Sequence, residues 1–132
     1  MIDHISLGVA DLAASARLYE AMLAPLGYRR MVDRSDRVAF GTTYPEVWLN
    51  ARPGMPPVAA DTGSHLCLRA RTTEAIDAFH RIALAEGGRD DGKPGPRQAT
   101  QVVYYAAFIR DLDGNRIEVM TVPNIDKPGQ SA

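Results

Sequence analysis

The strongest constraint on how this chain folds is that it repeats itself. At an offset of 61 residues His4 falls on His65, Leu7 on Leu68, Leu18 on Phe79 and Gly27 on Gly88. A period of this length means two copies of one supersecondary unit. A unit of about 60 residues buries too little apolar surface to be robust alone, so the two copies are expected to share a core. The 132 residues therefore read as a single domain of paired modules spanning residues 1–122.

Within residues 2–9, Ile5, Leu7 and Val9 alternate with His4, Ser6 and Gly8, the period of a half-buried strand. Asp11 is a good helix N-cap, and Leu12, Ala16, Tyr19 and Leu23 follow near helical spacing until Pro25 and Gly27 end the helix. Residues 28–33, 37–40 and 46–50 supply three short strands, so the first module, 1–50, reads β-α-β-β-β. Residues 51–62 contain Pro53, Gly54, Pro56 and Pro57 and form a stiff connector.

The second module, 63–122, repeats the plan. A strand over 65–70 precedes a helix capped by Thr72 or Thr73, and Gly87-Gly88 stops that helix. Residues 89–97 read as a polar loop, and 101–109 and 116–121 as strands joined through Asp113-Gly114-Asn115, a strong hairpin signal. Phe40 to Trp48 matches Phe108 to Glu118 if the second turn is two residues longer. Residues 123–132 have almost no apolar content and are expected to be a disordered tail. The fold class is α+β.

Composition excludes several functions. Fifteen basic and sixteen acidic residues are interspersed, leaving a net charge of −1 and no electrostatic footprint for nucleic acid or an anionic membrane. No apolar run approaches the ~20 residues of a membrane span, and no signal pattern opens the chain. A single cysteine, Cys67, excludes an internal disulfide and fits a reducing, cytoplasmic setting.

Strand parity then selects candidate site residues, because alternate side chains point to opposite faces. His4, Ser6 and Gly8 share the face away from the first helix; His65, Cys67 and Arg69, and Arg116, Glu118 and Met120, share it in the second module. A carboxylate inside the strand Ile117-Glu118-Val119-Met120 is costly without a cationic partner. Two neutral imidazoles and one carboxylate form a metal site with open positions, suited to a divalent cation such as Zn, Ni, Fe or Mn. The alternative is that each residue is innocuous alone, with Glu118 paired to Arg116 or Arg69.

Other residues are weaker candidates. Trp48 either walls the cleft for a planar substrate or packs in the core. Tyr104 and Tyr105 point to opposite faces, so only one lines the cleft. Arg97 either binds an anionic substrate group or is solvated. Cys67 reads as a pocket-lining hydrophobe rather than a nucleophile, since no positioned base is evident. Met120 completes the substrate-facing set, and His80, on the second helix, reads as structural or exposed.

The chain resembles the vicinal oxygen chelate superfamily, which includes glyoxalase I, bleomycin and fosfomycin resistance proteins and extradiol dioxygenases. The resemblance covers about residues 1–122. It rests on Asp3-His4-Ile5-Ser6-Leu7 with Asp11, on Gly63-Ser64-His65-Leu66, and on Tyr104-Tyr105-Ala106-Ala107-Phe108 through Asp111-Leu112-Asp113-Gly114-Asn115-Arg116-Ile117-Glu118. It implies an open, cup-shaped mixed sheet with helices outside, a divalent metal on His4, His65 and Glu118, and a homodimer. One departure stands out. Glyoxalase I-like members carry a further carboxylate where this chain has Trp48; Glu46 lies two residues away and substitutes only if the register slips, or else belongs to a solvated turn.

The expected function is a glyoxalase- or dioxygenase-type metalloenzyme that chelates a small oxygen-bearing substrate, with lyase, isomerase and oxygenase chemistry all open. The alternative is a metal-free binding or sequestration protein of the bleomycin-resistance type.

Overall fold

A computed structural model describes residues 1–123; the expected tail, apart from Pro123, lies outside the described residues. The element order is β1 (Ile5–Val9), α1 (Leu12–Leu23), β2 (Arg29–Asp33), β3 (Arg37–Gly41), β4 (Val47–Ala51), then β5 (Leu66–Arg69), α2 (Thr73–Ala85), β6 (Arg89–Gln98), β7 (Val103–Arg110) and β8 (Arg116–Thr121). The strands form two four-stranded mixed sheets, ordered β1-β4-β3-β2 and β5-β8-β7-β6, with no closed barrel. In each sheet the first strand pairs parallel with the last. The repeat read from the sequence is thus a repeat of topology.

Both helices start where capping chemistry allows. Asp11 Oδ1 accepts the Ala14 amide at 3.0 Å, and Thr72 Oγ1 accepts the Ala75 amide at 3.1 Å. Leu18, Tyr19, Met22 and Leu23 of α1 join Ile76, Phe79 and Ala83 of α2, and β-strand residues from both modules, in one continuous core. Neither helix is long and apolar enough to cross a membrane.

Two expectations change. Residues 89–97 are not a loop but most of β6, an edge strand whose pairing with β7 slips twice, between Asp90 and Gly92 and between Gly92 and Gly95. Its Gly and Pro content suits an edge, where a missing ladder donor is tolerated and bulges absorb irregular pairing. The turn comparison also shifts. Ala39 lies opposite Trp48 and Phe108 opposite Glu118, so the second hairpin is one residue longer rather than two.

The turn Asp111–Asn115 joins the modules. Asp111 Oδ1 accepts the amides of Asp113 and Asn115, which shapes the turn, and Gly114 takes the left-handed φ of 93°. Its outward side then grips the first module: Tyr19 Oη donates to Asp111 Oδ2 at 2.6 Å, the Ala10 amide to Asp113 Oδ1 at 2.9 Å, and Asn115 Nδ2 to the Gly8 carbonyl at 3.3 Å. The Asp113 carbonyl also accepts the Val58 amide at 2.8 Å and pins the connector.

Burial pushes the Asp111 carboxyl above its ordinary range, against the lowering effect of Tyr19 and Asn115. Burial, then Asp111, push the Tyr19 phenol well up. A raised carboxyl favours the folded state below its unfolded pKa and withdraws that benefit as pH rises. Tyr19→Phe should therefore lose about 1–3 kcal/mol at pH 8 and less toward pH 4, as the raised Asp111 carboxyl takes up its proton. Above about pH 10 the gap should narrow again, because the neutral phenol favours folding only below the range where unfolded tyrosine ionises. Urea denaturation at the three pH values checks this; a gap independent of pH would show that Asp111 is not the group Tyr19 serves.

Candidate metal centre

The register of the two sheets places the candidate residues. Ser6 lies opposite Trp48 in the first sheet and Cys67 opposite Glu118 in the second, so Trp48 and Glu118 occupy equivalent places. Ile117 and Val119 are fully buried toward the core, which turns Glu118 to the helix-free face. There it is only 6 % exposed. His65, just before β5, sets its Nε2 3.0 Å from Glu118 Oε1. The Phe108 ring, opposite Glu118 on β7, meets the His65 ring edge-on at 5.7 Å between centroids.

Neither arginine proposed as an ordinary partner pairs with Glu118. Arg116 Nε donates to Asp91 at 2.7 Å, and its guanidinium lies over Phe108, 4.1 Å from the ring centroid. Arg69 lines a separate cleft. Among the described residues, the ion-pair partner of this buried carboxylate is His65. An imidazole nitrogen and a carboxylate oxygen 3.0 Å apart are close enough to bond one divalent ion together, so this pair fits a metal.

His4 does not join them. It precedes β1, its side chain is half exposed, its Nδ1 lies 2.6 Å from Asp3 Oδ2, and its ring faces Trp48 edge-on at 6.3 Å. Among the described residues no three His, Cys, Asp or Glu side chains come together as a ligand set. Among the described residues of one chain, the structure brings together the pair His65 and Glu118 and leaves His4 apart from them. The physical reason is the register: each histidine packs beside its own module's last strand, His4 by Trp48 and His65 by Glu118.

The register also does not slip to bring in Glu46. That residue precedes β4 and accepts a 2.8 Å hydrogen bond from Tyr28 Oη. Burial and this bond raise the Tyr28 phenol. Glu46 faces a cleft of about 600 Å³ shared with Arg69 and Arg71, to which neither His65 nor Glu118 contributes.

Tyr105 is turned to the helix side, where its hydroxyl donates to Asp77 at 2.6 Å, leaving Tyr104 on the face of Glu118. Arg97 spends its donors on the carbonyls of Lys93, Gly95 and Pro96, so it shapes β6. His80 is buried against Asp90 at 2.9 Å and is structural. Met120, two residues beyond Glu118, is half-buried on the same face.

Phe108, Asp91 and Arg110 belong to the site's surroundings but were not singled out from the sequence. One signal was present: Arg110 and Arg116 flank the tight turn and lie directly opposite each other. Two like charges in that relation need a shared anion, and Asp91 Oδ2 supplies it, 3.0 Å from Arg110 Nε and 2.7 Å from Arg116 Nε.

A family model, the Glyoxalase/Bleomycin resistance protein/Dioxygenase superfamily, matches residues 1–119, and the chain belongs to that superfamily. It is similar to a glyoxalase/bleomycin resistance protein from Albidiferax ferrireducens, with 31% identity and a TM-score of 0.81 over 91% of this chain and 98% of that one. It shares its fold with a fosfomycin resistance protein, FosX, from Listeria monocytogenes, solved as a single-residue mutant with Mn(II) and 1S,2S-dihydroxypropylphosphonic acid. That match has 16% identity and a TM-score of 0.66, over 90% of this chain and 87% of the other. A glyoxalase/bleomycin resistance protein/dioxygenase family enzyme from Burkholderia phytofirmans shares it too, at 16% identity and TM-score 0.65, over 91% of this chain and 97% of that one. No curated protein matches the sequence.

Cys67 reports on the site independently. Partial burial, then the Glu118 carboxylate, push its thiol up to about 12. The fall in thiolate fraction outweighs the gain in nucleophilicity, so in metal-free protein at pH 8 alkylation by iodoacetamide should run about a hundredfold slower than for a free thiol. Glu118→Gln should speed it. Alkylation at the free-thiol rate in the unsubstituted chain would contradict the placement of Cys67 beside Glu118.

Proposed function

We propose that this chain is a metal-dependent enzyme of its superfamily, acting on a small substrate that offers neighbouring oxygen atoms. The observation that carries this reading is the 6 %-exposed Glu118 carboxylate, whose ion-pair partner among the described residues is a histidine, not an arginine or lysine. A buried carboxylate held beside an imidazole is the donor pair a divalent cation uses, whereas a purely structural carboxylate is better served by a fixed cation. A bound metal would supply Lewis-acid stabilisation of developing oxyanion charge.

His65 and Glu118 hold the ion in this reading, and Phe108 keeps the imidazole oriented from its edge. The third ligand is His4 of a second copy. Each chain carries one half-site with His4 and Trp48 and one with His65 and Glu118, both on helix-free faces. Pairing the first module of one copy with the second module of another unites the three ligands and accounts for an exposed His4.

Trp48 gives a planar apolar wall where a second carboxylate would stand, so no protein base faces the substrate from that strand. This favours chemistry in which the metal activates substrate oxygens, over isomerisation through removal of a carbon-bound proton. The same Trp48, set against the small Ala39, is the feature that favours the rival reading of a metal-free pocket for an aromatic compound.

Metal analysis after reconstitution with Fe, Ni, Mn or Zn separates the two readings. The enzyme reading expects about one ion per chain, and His65→Ala or Glu118→Ala should abolish it; no uptake of any of the four would favour the metal-free pocket. A mixing experiment tests the shared site. His4→Ala and Glu118→Ala chains should each bind no metal alone. Refolded together, their mixed pairs should regain one site of two, because one chain supplies His65 and Glu118 and the other His4. No regain on mixing would overturn the shared site.

A further inference from the structure

Arg110 and Arg116 share Asp91 but are not used alike. Arg110 is spent: its Nε goes to Asp91, one Nη to the Gly114 carbonyl at 3.2 Å and the other to the Ala60 carbonyl at 2.7 Å, which ties the connector to the turn. Arg116 gives only its Nε, to Asp91. Among the described residues neither of its Nη groups has an acceptor. Its plane is nevertheless fixed from two sides, by the 2.7 Å bond to Asp91 and by the Phe108 ring beneath it. A guanidinium fork held rigid with its two terminal groups free is arranged to receive something planar or tetrahedral that carries two oxygens.

The surroundings say what. Arg116 lies two residues before Glu118 on the same strand face, about 7 Å away along the strand. Phe108 sits between Arg116 and His65, touching both. A polar recess of about 180 Å³, walled by Thr62, Ser64, Asp91, Arg110 and Arg116, opens there. Thr62, Ser64 and both arginines also wall an adjoining, mainly apolar cavity of about 250 Å³, lined by Ile5, Leu7 and His65. Asp61 also borders the recess, but it is exposed on the connector, where water screens it. Asp91 is already shared between two guanidiniums.

We propose that Arg116 is the specificity-determining residue of the site and clamps an oxyanion group, a carboxylate or a phosphonate, on the substrate. The inference rests on the reading of His65 and Glu118 as a metal pair, since the clamp gains its purpose from the ion beside it. The substrate is then a small anion: a charged group on Arg116, and oxygens on an adjacent carbon toward His65 and Glu118.

Matched probes test this on the full chain, metal-free and loaded with Mn(II). Lactate is compared with lactamide, and hydroxymethylphosphonate with its dimethyl ester, by titration calorimetry. The charged member of at least one pair should bind about tenfold or more tighter than its neutral isostere, and which pair shows it identifies the oxyanion. Arg116→Met should abolish that preference while Mn(II) uptake stays at the wild-type level. Arg116→Lys keeps a point charge without the fork and protects the test if the Met variant does not fold; its preference should fall at least about threefold. A wild type blind to charge, or an Arg116→Lys chain with the full preference, would overturn the clamp. Preference without Mn(II) uptake would leave the clamp standing and remove the metal reading.

Discussion

The hydrogen bond from Tyr19 to Asp111 is the contact on which the architecture depends. It lies at the junction of two modules that each lack a sufficient core, and it is buried at both ends. Asp111 accepts from two amides of its own turn, from Asn115 and from Tyr19, so one carboxylate both shapes the hairpin and docks it. Such a fully engaged buried acid is stable only while every donor stays in place. The rigid turn in turn holds Arg110 and Arg116 at its flanks, and these position the rim of the candidate site. Module docking and site geometry are therefore one mechanical unit.

Duplication has been followed by divergence at matched positions. On the helix-free face the first sheet sets large Trp48 against small Ala39, and the second sets Glu118 against Phe108. One face has kept apolar bulk where the other has kept chemistry. The preceding residue of both first strands is histidine, so the two halves differ in what stands beside the imidazole rather than in the imidazole itself. The helix-free face of the first module thus carries a flat aromatic wall, and that of the second carries charged groups.

Much of this was legible in the sequence because it depends on period. Alternation in the strands fixes which face Glu118 takes, and the repeat pairs Trp48 with it. What depends on distance was not legible. Parity places His4 and His65 on equivalent faces but cannot say that the two faces stay apart within one chain. Residues 89–97 hid a strand because an edge strand with bulges needs neither apolar alternation nor a full ladder, the two signals by which strands are recognised. Glu46 was two residues from the right place in sequence, yet the ladder from Ile5 to Val47 leaves it outside the strand, facing Tyr28.

That irregular outer strand bears on how copies of the chain can meet. Pro94 and Pro96 offer no amide, and the two slips in pairing interrupt the row of outward donors and acceptors. A neighbouring chain finds no continuous ribbon there on which to extend the sheet. Sheet-to-sheet growth into open-ended assemblies is blocked along that border.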